Sequence, residues 1–325
     1  MGEPWVPPRQ MTVRWERLPP NRVYRFYRGG ALLDGFRGGG GGGDGDLPED
    51  WIGSVTAALN PGRDEPDAGL SRLEDGRLLR DAIAADPEGW LGPAAAQGSP
   101  GVLVKLLDPV ERLPVHAHPD RAFARTHFRS AFGKTEAWIV LRTRTPAGVV
   151  WVGQREDTPV DVYREWIDGQ DVDSLLGSLN EVPVAAGDVV YLPAGVPHAI
   201  GPGILMAELQ EPTDFSIVCE WKGYPIEPAD SHLGLGWDVS IGALDLCAHT
   251  PVRRLPDAAR AFFWADERPE PAGRFAVWIV LGGTGTIAGA DVSAGDCLAV
   301  PAAATELPIE GDLRVLRCLG PDPAA

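Results

Sequence analysis

Cysteine is scarce in this sequence, and its cysteines are far apart. The 325 residues contain four cysteines, and no two of them form a CxxC pair. This spacing argues against a disulfide framework and against a cysteine-based metal site, and it predicts buried thiols in a reducing compartment. The four are Cys219, Cys247, Cys297 and Cys318.

Positive charge and long hydrophobic runs are also lacking. The chain has 29 lysines and arginines against 46 aspartates and glutamates, a formal net charge of −17. Because nucleic acids bind through clustered cations, we expect no nucleic-acid partner. No apolar run has the length of a membrane span, and the N-terminal residues lack the apolar segment of a secretory signal. We therefore predict a cytoplasmic globular protein without a membrane partner.

Turn-forming residues, by contrast, are abundant, with 40 glycines and 31 prolines. They separate short apolar segments, a pattern that predicts a mainly β sandwich or barrel with a helical insert in the N-terminal half. Six consecutive glycines at 38–43 predict a flexible loop. The predicted strands are 101–107, 137–142, 148–152, 188–193 and 204–210, and helical spacing occurs at 70–86 and 120–129.

The length allows two domains, and an internal similarity suggests where they lie. Residues 275–318 follow the same order of strand, glycine-rich turn and strand as the earlier half, and Ala294-Gly295-Asp296 parallels Ala186-Gly187-Asp188. The later copy lacks the histidines. We predict a metal-binding domain at 1–230 and a smaller domain without metal ligands at 231–325.

Histidines and a glutamate in two motifs indicate a metal site. His116 and His118 are two residues apart, so an extended strand presents both on one face, about 6.6 Å apart along the backbone. The segment 187–201 ends an apolar strand in a Pro-Gly turn and then places His198. With Glu136, these residues form a set of three nitrogens and one oxygen that suits Zn, Fe, Mn, Co or Ni and leaves an open position. A surface pair or core histidines are the alternative.

These motifs resemble a known family. The pattern of His-x-His, Glu and Gly-x5-Pro-x-Gly-x2-His is similar to the cupins, and the longer strings are similar to class I mannose-6-phosphate isomerases. The strings are VKLLDPVERLPVHAHPD, GKTEAW and GDVVYLPAGVPHAIGPGILMAELQEPTD. Glu136 follows His118 by eighteen positions, a spacing typical of that branch. The resemblance is strong over 100–217 and weak elsewhere.

The resemblance implies two cupin-like jelly-roll barrels and one divalent metal ion, with zinc as the first choice. Carried over position by position, the family's metal ligands fall on His116, His118, Glu136 and His198. The first of these differs in kind, because the family typically has glutamine where this chain has His116.

It also implies an aldose–ketose isomerase that converts mannose 6-phosphate to fructose 6-phosphate through a cis-enediol, with a sugar or sugar phosphate as its small-molecule partner. The candidates for the catalytic base are Lys134, Asp214 and Glu208. Their alternatives are a solvated lysine, a turn cap and a partner that orients a histidine ligand. Val218 occupies the position of a family arginine that faces the sugar. A cupin Fe(II) oxygenase and a non-catalytic sugar-binding module remain the competing hypotheses.

Three further residues near the motifs have simpler predictions. We expect His127 on the surface of a short helix and Trp138 in the core. Lys105 alternates with apolar neighbours, so it faces either the cavity or solvent.

Overall fold

The computed structural model describes residues 15–38, 42–63 and 65–323. Within these residues the chain forms nineteen β-strands, seven α-helices and three 3-10 helices. The strands are β1 Glu16–Arg17, β2 Arg22–Val23, β3 Glu49–Ile52, β4 Leu103–Leu107, β5 His116–Ala117, β6 Glu136–Thr143, β7 Gly148–Gln154, β8 Leu179–Val184, β9 Val189–Leu192, β10 His198–Ile200, β11 Ile204–Gln210, β12 Ile217–Val218, β13 Trp264–Asp266, β14 Ala276–Gly282, β15 Thr284–Ile287, β16 Ala290–Ser293, β17 Cys297–Val300, β18 Ile309–Gly311 and β19 Arg314–Leu319. The α-helices are α1 Ala31–Phe36, α2 Leu79–Ala85, α3 Pro87–Leu91, α4 Arg121–Phe128, α5 Val160–Gly169, α6 Val172–Gly177 and α7 Trp237–Ser240, and the 3-10 helices are Gly92–Gln97, Ile241–Ala243 and Asp257–Ala261.

The strands form four sheets. Two contain only strands from the first 230 residues, in the orders β2-β3-β4-β11-β6-β9 and β12-β5-β10-β7-β8. The other two have the orders β1-β17-β14-β19-β13 and β16-β15-β18. The paired strands in these sheets are antiparallel, so the predicted mainly β class with helical segments is confirmed, whereas the closure of the sheets into two barrels stays a prediction.

Most predicted elements are present. All five predicted strands form, with ends shifted by at most two residues. Helix α4 matches the prediction at 120–129, and Asp120 caps it by accepting the N–H of Phe123 at 2.7 Å. The prediction at 70–86 is correct only for Leu79–Ala85. Its first half is instead a turn with Gly76 at φ 86°, a left-handed conformation that an α-helix cannot contain.

The internal similarity is visible in the backbone. Gly187 and Gly295 have φ values of 95° and 92°, and each donates its N–H at 2.8 Å to a valine carbonyl, in β6 and β14 respectively. Asp188 and Asp296 each accept the backbone N–H three residues earlier, at 2.9 and 2.8 Å. The two Ala-Gly-Asp segments therefore form the same turn, which requires glycine for its left-handed residue.

The N-terminal and C-terminal parts share a hydrophobic core. Strand β1 pairs with β17, with Glu16 opposite Ala299. One buried cluster contains Leu33, Leu209 and Val277, which lie on both sides of the predicted domain boundary. The division at residue 230 itself stays a prediction.

The cysteines are only partly as predicted. Cys219, Cys297 and Cys318 are buried, and burial raises the pKa of each thiol. The prediction is wrong for Cys247, which is exposed. This cysteine lies in a loop outside the strands, where its N–H bonds the carboxylate of Asp245 and its side chain has no sheet to pack against.

The predictions of a flexible glycine loop and of a protein without membrane spans can also be compared with the structure. Of the glycine run, residues 39–41 lie outside the described residues. None of the helices in the described part of the chain is long and apolar enough to cross a membrane. The cytoplasmic location stays a prediction.

Candidate metal centre and active-site cavity

The three predicted histidine ligands meet at one point. His116 in β5 lies directly opposite His198 in β10, because these two short strands pair in antiparallel register. His118 follows one residue after β5. One ring nitrogen from each histidine lies within 4.8 Å of the other two. The pairing of β5 with β10 thus brings together the imidazoles of His118 and His198, which are 80 residues apart in the sequence.

Backbone carbonyls orient all three rings. The Nδ1 atoms of His116, His118 and His198 lie 2.8 Å from the carbonyl oxygens of residues 114, 215 and 196 respectively. A carbonyl oxygen can only accept, so each Nδ1 carries the proton and each Nε2 presents a lone pair. This is the arrangement in which metal-binding histidines are held by a hydrogen bond on the opposite ring nitrogen.

Glu136 completes the set from the facing sheet. It is the first residue of β6, in the six-stranded sheet, whereas the histidines belong to or adjoin the five-stranded one. Its Oε2 lies 3.1 Å from Nε2 of His118, and its Oε1 lies 3.3 Å from Nε2 of His198. Glu136 Oε2 and His198 Nε2 are buried and have no hydrogen-bond partner among the described residues.

These contacts fit a divalent cation. Two lone-pair atoms repel each other at such distances unless a proton or a cation lies between them. The three Nδ1–H tautomers leave no ring proton on the Nε2 side. A metal ion bound by the three Nε2 atoms and the carboxylate would satisfy the buried atoms, and three nitrogens with one oxygen suit zinc and related metals.

The pKa values favour neutral imidazoles. Burial, followed by the positive charge of Lys134, lowers the pKa of His118 to about 3. Burial is also the main cause of the lowered pKa of His116 and of His198. Burial alone would raise the pKa of Glu136, but neighbouring His118 and Lys134 outweigh it and hold that pKa well below its usual range. At neutral pH the set is therefore deprotonated, as metal binding requires.

Lys134 is a buried neighbour of the centre. Its Nζ lies 3.0 Å from Nε2 of His118 and 3.5 Å from Oε2 of Glu136. The ammonium group thus contacts two of the predicted ligands directly. A solvated lysine, the alternative weighed for this residue, is excluded because only 6% of its side chain is exposed.

All three predicted catalytic residues line the same cavity as the metal centre. The cavity has a volume of about 370 Å³, and its walls include His116, Lys134, Glu208 and Asp214. Apolar and aromatic side chains form much of the rest, which is typical of a small-molecule site with few polar groups. The structure therefore brings the predicted residues together in the wall of one cavity.

A network of buried charges forms another wall of the cavity. Lys105 faces inward, with its Nζ 3.3 Å from Glu208, 3.7 Å from Glu49 and 3.9 Å from Asp214. Arg25 also contacts two of these carboxylates, Asp214 at 2.5 and 3.0 Å and Glu49 at 3.0 Å. Neither Arg25 nor Glu49 is among the residues predicted from the sequence. Neither lies in a motif, and only the pairing of β3 with β4 brings Glu49 beside Lys105.

Two of the three carboxylates in this network, Glu208 and Asp214, differ in acidity. Burial raises the pKa of Glu208, and the negative charge of Glu136 adds to this effect. Burial would also raise the pKa of Asp214, but the charges of Arg25 and Lys105 outweigh it, so that pKa is lowered. Glu208 is therefore the stronger proton acceptor of the two.

The contacts of Glu208 and Asp214 argue against the alternative roles considered for them, a partner that orients a histidine ligand and a turn cap. Glu208 accepts the indole N–H of Trp138 at 3.2 Å, and the histidines are oriented by carbonyls instead, so it does not orient a ligand. Asp214 accepts the backbone N–H of Leu59 at 2.8 Å, which ties a distant loop to the cavity wall rather than capping its own turn. Trp138 is fully buried, as predicted.

Two other predicted positions are as expected. His127 is exposed on α4 and packs its ring against Phe123. Val218, the residue at the family's arginine position, lines the cavity opposite His116 in the pairing of β12 with β5. The cavity wall next to the metal centre is thus apolar at this point.

Similar proteins are known, although no family model matches the sequence. The mannose-6-phosphate isomerase of Streptococcus mutans is 38% identical over 113 residues, which cover 35% of this chain and 34% of that protein. The match thus spans only about a third of the relative's length.

Solved structures extend the similarity to nearly the whole chain. The mannose 6-phosphate isomerase of Bacillus subtilis has a TM-score of 0.70 at 19% identity, covering 94% of this chain and 99% of that one. A mannose 6-phosphate isomerase bound with zinc and yttrium has a TM-score of 0.65 at 13% identity, covering 95% and 100%. At these identities the likeness establishes the fold. The chain is thus similar to mannose-6-phosphate isomerases in sequence over about a third of its length and in fold over nearly all of it.

Proposed function

We propose that this protein is a metal-dependent aldose–ketose isomerase that acts on a sugar phosphate, nominally converting mannose 6-phosphate to fructose 6-phosphate. One observation carries the proposal. Three histidines with inward-facing Nε2 atoms and the carboxylate of Glu136 meet at a cavity that also contains buried acids and bases. The sequence similarity to mannose-6-phosphate isomerases supports the same reaction. We further propose that the paired sheets form two cupin-like jelly rolls, at 1–230 and 231–325.

The residues His116, His118, Glu136 and His198 would hold the metal. Isomerisation moves a proton between C1 and C2 of the sugar through a cis-enediol, so negative charge develops on the sugar oxygens. A bound divalent metal supplies Lewis acidity that stabilises this charge. Lys134 adds a fixed positive charge beside the same site, since its ammonium lies 3.0 Å from His118 and lines the cavity.

Among the base candidates we assign proton transfer to Glu208. A general base works best when its pKa approaches the working pH, and burial raises the pKa of Glu208 towards that range. Its carboxylate is held in place by Lys105 at 3.3 Å and Trp138 at 3.2 Å. Asp214 has the opposite tendency, and its bonds to Arg25 make it a positioning residue for the cationic side chains.

Deuterium exchange tests the proposal. Metal-loaded protein in D₂O should incorporate deuterium at C2 of mannose 6-phosphate, and a chelator should stop the exchange. Glu208→Gln should slow it by roughly 10² to 10⁴-fold, the usual contribution of a positioned general base. The matched control Glu181→Gln changes an exposed glutamate in β8 and should leave exchange within about twofold of the wild type. Exchange that persists in fully metal-free protein would contradict the metal-dependent mechanism.

Substrate comparison in the same assay measures what the phosphate contributes. The three cations that line the cavity are Arg25, Lys105 and Lys134, and each already lies within 4 Å of a carboxylate. Because all three cations already have carboxylate neighbours, the contribution of the phosphate is measured by comparing deuterium exchange into mannose with exchange into mannose 6-phosphate. Oxygen consumption by iron-loaded protein would point to an oxygenase, and sugar binding without exchange would point to a non-catalytic module.

A further inference from the structure

A second cleft, far from the metal motifs in sequence, is lined by four arginines. This cleft has a volume of about 420 Å³ and lies against the C-terminal sheet, next to β13, β14 and β19. Arg260, Arg268, Arg274 and Arg317 all contribute to its wall. We call it the arginine cleft. It shares no lining residue with the cavity of the metal centre.

The charge of the arginine cleft is opposite to that of the whole protein. Asp266 and Asp322 are the two carboxylates among its lining residues, so the four arginines leave two net positive charges. The chain as a whole carries −17. The cleft is therefore a local positive site on an acidic protein, which favours the binding of an anion there.

The guanidinium groups of the cleft form few hydrogen bonds and ion pairs with other described residues. Arg317 forms a two-pronged ion pair with Asp266, at 2.9 and 3.0 Å. Arg260 stacks on the ring of Trp264, 3.6 Å from its centroid, and lies 3.8 Å from the exposed carboxylate of Asp257. Arg268 is exposed, and its side chain forms no ion pair with any residue that the structure describes. Each guanidinium offers five N–H donors, so many remain available.

Arg274, in the wall of the cleft, bonds backbone carbonyls. It is half-buried and donates to the backbone carbonyls of Gly320 and Pro321 at 3.3 and 2.7 Å. Burial is the main cause of its lowered pKa; the charge of Asp322 opposes this effect, and the positive charges of Arg317 and Arg260 add to it. A dianion in the cleft would offset the repulsion among these guanidinium groups.

We propose that the arginine cleft binds a phosphate group, either as inorganic phosphate or as the monoester of a small metabolite. Arginine is suited to this task since its planar fork matches phosphate oxygens two at a time. The cleft can hold a molecule larger than phosphate, and the exposed face beside Arg268 gives access. This binding site is independent of the proposed isomerase activity.

Calorimetric titration of the full chain tests the site, with inorganic phosphate and glycerol 3-phosphate as probes. Arg268→Glu reverses a charge without removing a structural contact, and it should weaken binding of the preferred probe by about tenfold. Arg260→Gln is a milder second variant and should weaken it severalfold. Arg254→Glu makes the same charge change at an exposed arginine outside the cleft and should leave binding within twofold.

Two comparisons separate this site from the metal cavity. Binding at the arginine cleft should persist in chelated protein and in the His118→Ala variant, where cavity binding is disturbed. Tighter binding of glycerol 3-phosphate than of inorganic phosphate would identify a monoester as the ligand, and the reverse would identify free phosphate. The proposal is overturned if neither probe binds, or if Arg268→Glu and Arg254→Glu have equal effects.

Discussion

Removal of one imidazole should abolish stabilisation of this protein by metal. The substitution is His118→Ala, which deletes a ring whose Nε2 lies 3.1 Å from Glu136 and whose Nδ1 is held by a carbonyl. A matched control is His127→Ala, which removes an exposed imidazole nine residues from the nearest ligand in sequence. Both variants lose the same chemical group, so any difference reports the position of the ring.

The expected magnitude follows from binding linkage. Zinc at a hundred times its Kd adds about 2.7 kcal/mol to the stability of a protein that binds it only when folded. For 325 residues the unfolding entropy is about 0.7 kcal/mol/K, so the wild type should gain about 4 °C in Tm over chelated protein. The control should gain the same amount. The His118→Ala variant should gain less than about 1 °C, because the remaining ligands bind the ion too weakly.

Differential scanning fluorimetry with zinc, manganese, cobalt, nickel and iron(II) provides the assay. Each variant is compared with its own chelated sample, so the effect of the substitution on the metal-free protein cancels. Equal metal-dependent shifts in His118→Ala and His127→Ala would refute the four-residue centre. The absence of a shift with every metal in wild-type protein would refute metal binding as a whole.

Three other predictions concern the cavity. Lys134→Met should slow deuterium exchange by about 10²-fold or more while strengthening zinc binding, since a cation no longer competes beside the ligands; calorimetry and NMR measure the two effects. Arg25→Met leaves two carboxylates buried without their guanidinium and should lower the free energy of unfolding by about 3–5 kcal/mol in urea titrations, whereas Arg63→Met at an exposed site should change it little. Because the folded pKa values of Glu49 and Asp214 are lowered, their stabilising effect should be complete above about pH 4 and lost as pH falls below it; urea midpoints from pH 7 to 3 should fall, and Asp214→Asn should flatten that profile.

Features that depend on short stretches of backbone could be predicted from the sequence. The alternation of side chains along a strand places His116 and His118 on one face, and the Pro-Gly turn before β10 determines where His198 begins its strand. The repeated Ala-Gly-Asp turns were visible for the same reason, since a left-handed residue requires glycine. The helical prediction over 70–78 was wrong because leucine spacing alone does not detect the turn at Gly76.

Features that depend on which strands become neighbours could not be predicted. The sequence contains no sign that Arg25 and Glu49 meet Asp214 and Lys105, since their contacts arise from strand pairing and from a loop that crosses the cavity. The same holds for the raised pKa of Glu208, which depends on burial and on a charge from another strand. The identities of the predicted metal ligands could thus be recognised from short sequence motifs. The acidity of the groups around them is decided only by the tertiary structure, because burial and charge are properties of the packed molecule.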